Sequence, residues 1–69
     1  MSSDDITQKV RGLLAGETFA IDRSEFRNSI ADPLDRAAYL GVARRLAGLS
    51  NCRLEVTEER LIFVRPGGK

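Results

Sequence analysis

Apolar positions recur along this chain in two different periods, and the change of period divides it into elements. From Ser3 to Ala15, Ile6, Val10, Leu13 and Leu14 fall at i, i+4, i+7 and i+8, the spacing of one helical stripe. Ser3 is the expected cap, Asp4 and Asp5 supply first-turn negative charge, and Gly16 is the expected stop. Glu17 to Ile21 then alternates, with Phe19 and Ile21 on one side and Thr18 and Ala20 on the other, which predicts a short strand. Asp22 with Glu25 three residues on has the spacing of a capping box and opens a second helix, Arg23 to Ile30, with Phe26 and Ile30 pointing inward.

The strongest signal runs from Asp32 to Leu49 and predicts one long helix. Asp32 is its N-cap, Pro33 takes the first helical position where the missing N–H costs nothing, and Asp35 adds negative charge at the positive end of the dipole. Leu34, Ala38, Val42, Leu46 and Leu49 form the expected core stripe. Arg36, Leu40, Arg44 and Ala47 lie opposite, a face of arginines and apolar groups where a solvated helix would carry Glu, Lys and Gln. That face reads either as more deeply buried than usual or as a contact surface.

After the turn at Ser50-Asn51, Cys52, Leu54 and Val56 alternate with Arg53 and Glu55, and Leu61 to Arg65 returns after the connection Thr57 to Arg60. With a two- or four-residue connection Val56 faces Leu61 and Leu54 faces Phe63 on the core side. Ile62 and Val64 then share the outer side with Arg53 and Glu55. A three-residue loop would exchange the two pairs. Residues 66–69, Pro-Gly-Gly-Lys, end the strand as a frayed tail.

Composition narrows the function classes. At 69 residues, 42% hydrophobic and 30% charged, the chain has the make-up of one small globular domain spanning 1–69, with a modest core that invites support from self-association or a partner. The N-terminal MSSDDITQ is unlike a secretory signal and no apolar run has membrane-spanning length, so the expectation is a cytoplasmic protein that does not engage a membrane. Eleven basic residues against ten acidic give a net charge of +1, so any nucleic-acid contact must rest on how the arginines are arranged rather than on their excess.

The absence of histidine removes the commonest general base and metal ligand. Cys52 is the sole cysteine, which excludes an internal disulfide and a cysteine cluster. The carboxylate pairs Asp4-Asp5 and Glu58-Glu59 fall at a helix start and a hairpin turn. Ser24 and Ser29 lack an activating base, and no helix follows Gly67-Gly68 to make a phosphate loop. The expectation is a non-enzymatic protein with no cofactor and no metal.

The element order helix, short strand, short helix, tight corner, long helix, hairpin resembles the winged helix-turn-helix superfamily. The stretch LLAGETFAIDRSEFRNSIADPLDRAAYLGVARRLAGL is similar to the passage from first to third helix there, and CRLEVTEERLIFVRP to the wing. The fold class implied is α+β, three helices with a short strand and a C-terminal β-hairpin. The resemblance implies a third helix that enters a major groove and a wing that touches backbone. The sequence departs from that pattern at Asp35, near the start of the long helix, and at Glu58 and Glu59 in the wing turn. Candidate contact residues, for DNA or for a protein partner, are Arg23, Arg27, Arg36, Leu40, Arg44, Arg53, Arg60, Ile62 and Val64. Their bland reading is as solubilising arginines packed by their stems. Two functions follow as expectations: a small regulator binding DNA through the long helix and hairpin, and a protein-binding adaptor or inhibitor using the outer apolar and arginine faces. A homodimer fits both.

Overall fold

The computed structural model describes residues 3–67. Among them the chain forms α1 (Ser3–Arg11), β1 (Thr18–Asp22), α2 (Arg23–Asn28), α3 (Pro33–Ala37), α4 (Tyr39–Leu49), β2 (Arg53–Val56) and β3 (Arg60–Val64). The strands make one antiparallel sheet in the order β1-β3-β2. The α+β class and the C-terminal hairpin are as expected, with four helices in place of three. Met1, Ser2 and, from the expected tail, Gly68 and Lys69 lie outside the described residues.

In α1 the acidic first turn and basic last turn complement the helix dipole, and Ile6 and Val10, one turn apart, are fully buried. The helix stops at Arg11 rather than Ala15. Gly12 N still donates to Gln8 O (2.9 Å), after which Leu14 N donates to Glu17 Oε1 (2.8 Å) and Gly16 adopts a φ of 86°. That left-handed glycine reverses the chain into β1. The reversal takes Leu14 off the expected stripe and leaves it 68% exposed, while Leu13 stays half-buried.

Asp22 is extended at the start of α2, but its carboxylate makes no capping bond, so the expected box with Glu25 does not form. It reaches instead to Arg60 Nε at 3.6 Å across the β1–β3 pair. α2 closes at Asn28, two residues before the expected end, and Ile30 is buried just beyond it.

The expected single helix from Asp32 to Leu49 is two helices. Its cap forms as read, with Leu34 N donating to Asp32 Oδ1 at 2.9 Å. Ala38, at φ −107° and ψ 36°, then breaks the helical path. Different tertiary ties set the two directions. Arg36 Nε donates to Ile30 O (3.1 Å) and Nη2 to Ala31 O (3.3 Å), holding α3 to the preceding corner. α4 is held by the burial of Ala43 and Ala47, and Ala38 absorbs the difference. In consequence α3 buries no residue, and Leu34, read as core, is 80% exposed.

The inner line of α4 keeps Val42 and Leu46 of the expected stripe, half-buried against the core, but is centred elsewhere. Ala43 and Ala47 are the buried positions, flanked by half-buried Tyr39, Leu40, Val42 and Leu46, whereas Leu49 is 67% exposed. Leu40 and Ala47, expected on the outer face, therefore pack inward. Small side chains in the centre let the helix backbone sit close to α1 and β2.

The hairpin has the expected four-residue register, Val56 opposite Leu61 and Leu54 opposite Phe63. Asn51, at a φ of 56°, turns the chain out of α4, and Cys52 N donates to Ala47 O (2.8 Å). The central strand β3 supplies Leu61 and Phe63, both fully buried. Phe63 is the hub of the core, with Phe19 at 6.4 Å and Phe26 at 6.3 Å between ring centroids. On the other side of the sheet Ile62 and Val64 share a face with Glu55 and Arg53, as read, and pair with Ala20 and Thr18 of β1.

Candidate functional site

The structure separates the candidate arginines into those occupied by the fold and those free of it. Arg23, the first residue of α2, is a tie between three elements. Its Nε donates to Tyr39 Oη (3.0 Å), its Nη1 donates to Thr57 O (3.0 Å) and Glu58 O (3.3 Å), and its guanidinium lies 5.8 Å from the centre of the Tyr39 ring. Its backbone N–H donates to Glu59 O (2.8 Å). The hairpin tip is thus drawn down onto the start of α2 and α4. Arg36 is spent on the carbonyls of the α2–α3 corner. Arg60 pairs with Asp22, both largely exposed, a contact of little energetic weight.

The side chains of Arg27, Arg44 and Arg53 are exposed, with no hydrogen bond or ion pair among the described residues. Arg45, absent from the sequence-derived candidates, belongs with them. Counting the buried line of α4 from Ala43 and Ala47, as the fold requires, turns Gly41, Arg44, Arg45 and Gly48 outward together. The signal for Arg45 is its adjacency to Arg44; a stripe centred on Val42 and Leu46 rather than on Ala43 and Ala47 hides it. Asp35, which threatened this face with negative charge, belongs to α3, and α4 itself contains no acidic residue.

The candidates thus occupy separate regions. Arg23 and Arg27 line an open cleft of about 550 Å³ together with Asp22, Ser24, Tyr39, Glu58 and Glu59. Arg53, Ile62 and Val64 share the outer side of the sheet, with Ile62 and Val64 half-buried beneath their neighbours. Arg44 and Arg45 form the outer face of α4, one turn of chain before Arg53. Leu40 belongs to the core and to none of these. Arg65 Nη1 donates to Leu13 O (3.5 Å) and Ser50 O (3.4 Å), the chain neighbours of the exposed Leu14 and Leu49.

The cleft beside Arg23 has charges of both signs, and its best donor is already committed to carbonyls. It is therefore poorly suited to hold an anion. Among the described residues no group of His, Cys, Asp and Glu side chains is arranged to hold a metal ion, and no helix is long and apolar enough to cross a membrane. Cys52, read as a buried small hydrophobe, is half-buried, its Sγ 3.4 Å from Ser50 O. Comparison with protein-family models, characterised proteins and solved structures returned no match.

Proposed function

We propose that this chain is a small non-enzymatic DNA-binding regulator of the winged helix-turn-helix kind, with the outer face of α4 entering the major groove and Arg53 meeting the flanking backbone. The element order, with an antiparallel sheet in which β3 lies between β1 and β2, supports the architecture. One observation carries the function: Arg44 and Arg45 stand side by side, exposed and unpartnered among the described residues, on a helix with no acidic residue. Arginine forks suit guanine edges and phosphates alike. Gly41 and Gly48 on the same face keep it slim enough for close approach. The acidic tip of the hairpin is bound back onto α2, so the base of the hairpin, at Arg53, is the part that would touch DNA.

Fluorescence anisotropy with a labelled duplex over a salt series tests this. The expected result is affinity that falls linearly with salt on logarithmic axes, with a slope about two units shallower in Arg44→Ala/Arg45→Ala, since each phosphate contact contributes about 0.9. Arg36→Ala, whose guanidinium is spent within the fold, should leave the slope unchanged. No salt-dependent binding at micromolar protein would overturn the reading.

The exposed Leu14 and Leu49, whose neighbours Leu13 and Ser50 are tied to one another through Arg65, favour a second reading, a protein-binding adaptor or inhibitor. Size-exclusion chromatography with light scattering on native lysate, with and without nuclease, separates the two. Co-elution with nuclease-sensitive material supports DNA, and a nuclease-resistant stoichiometric protein complex supports the adaptor.

A further inference from the structure

The sheet order leaves β2 with a neighbour on one side only. The backbone groups that face its free side follow from ladder parity. Arg65 N donates to Glu17 O, extending the β1–β3 ladder, and Thr57 N donates to Arg60 O, extending β2–β3, each at 2.9 Å. Bonded pairs alternate in antiparallel ladders. Leu61 and Phe63 therefore bond towards β1, and Ile62 and Val64 towards β2. On β2, Arg53 and Glu55 turn their backbone groups to β3, and Leu54 and Val56 turn theirs away from the sheet. The side chains alternate as well. Arg53 and Glu55 project from the outer side, both exposed and without an ionic partner among the described residues, while Leu54 and the 42%-exposed Val56 project on the core side.

This edge is complementary to itself in one register. A second copy adding antiparallel about a two-fold axis must set residues of the same face opposite each other, so the axis passes beside Arg53, Leu54, Glu55 or Val56, and at Val56 it sets Glu55 opposite Thr57, where β2 has ended. Centring on Arg53 sets two arginines together, and centring on Glu55 sets two glutamates together. Centring on Leu54 sets Arg53 opposite Glu55 of the second copy and Glu55 opposite Arg53 of the second copy. In that register the outward N–H and C=O of Leu54 bond reciprocally with those of Leu54 of the second copy. The two charge pairs fall at the non-bonded positions, where cross-strand side chains lie closest. The opposite edge, β1, has no such order, since Asp22 is its one charged residue and already faces Arg60.

We propose that β2 is a self-association edge, joining the sheets of two copies into one continuous antiparallel sheet about a two-fold axis at Leu54, with reciprocal Arg53–Glu55 pairs selecting the register. This does not rest on the DNA-binding reading, because it needs neither Arg44 nor Arg45; Arg53 is the one residue that both readings use. Sedimentation velocity of the full chain from micromolar to millimolar concentration tests it, with circular dichroism to verify that each variant is folded. The wild type should dimerise with concentration, less tightly as salt rises. Glu55→Arg, which makes both pairs like-charged, should weaken association about tenfold or more. Arg53→Glu/Glu55→Arg, which reverses both charges and keeps them complementary, should restore it. A monomer throughout the range, a dimer indifferent to Glu55→Arg, or a double variant as weak as the single would each overturn the proposal.

Discussion

Arg23 shows how far a residue's role depends on what comes within reach of it. In sequence it is one arginine among several at a helix start; in the fold it meets Tyr39 sixteen residues later and the carbonyls of Thr57 and Glu58 more than thirty residues later. Bonds from a charged donor to fixed acceptors are worth about 1.5–3 kcal/mol together with the cost of orphaning their partners, and the site's partial exposure reduces this. Arg23→Ala is therefore expected to cost about 1–2 kcal/mol in urea unfolding. Tyr39→Phe, which removes one hydroxyl acceptor and keeps the ring, should cost about half as much. A double-mutant cycle between the two should show coupling, since they share a contact.

At the scale of the element, α4 inverts a common rule of thumb, that the largest apolar side chains mark the buried stripe. Leu49 is exposed, and Ala43 and Ala47 lie against the core. A helix that must lie close to its neighbours buries its smallest residues, because their size sets the interaxial distance. Ala43→Leu should accordingly destabilise the domain by about 1–3 kcal/mol through overpacking. Leu49→Gln should change stability by less than about 0.5 kcal/mol, as for an ordinary surface site. Chemical denaturation of the two variants separates this arrangement from the stripe expected on size alone, which would reverse their order.

For the whole molecule, the sheet and helices meet at Phe63, fully buried on the central strand between Phe19 and Phe26. A domain of this length has about 3–10 kcal/mol of stability at ~0.05–0.15 kcal/mol per residue. Truncating a core phenylalanine costs about 3–5 kcal/mol. Phe63→Ala should therefore remove most or all of the cooperative thermal transition seen by circular dichroism. Leu61→Ala, at the same depth but smaller, should leave a transition at lower temperature.

Local chemistry made several features legible from the sequence alone. The Asp32-Pro33 helix start, the strand at Phe19 and the register Leu54–Phe63 and Val56–Leu61 each depend on caps, fixed torsions or strict alternation among near neighbours. Much of the outer sheet side, Arg53 with Ile62 and Val64, followed from the same alternation. What only the tertiary structure decided was everything set by contacts between distant segments. These are the break at Ala38, the diversion of Asp22 from its capping role to Arg60, the commitment of Arg23 to the carbonyls of the hairpin tip, and the rotation of α4 that joins Arg45 to Arg44. A helix can be read from its own sequence, but the direction it faces is chosen by the surface it packs on, and that surface comes from elsewhere in the chain.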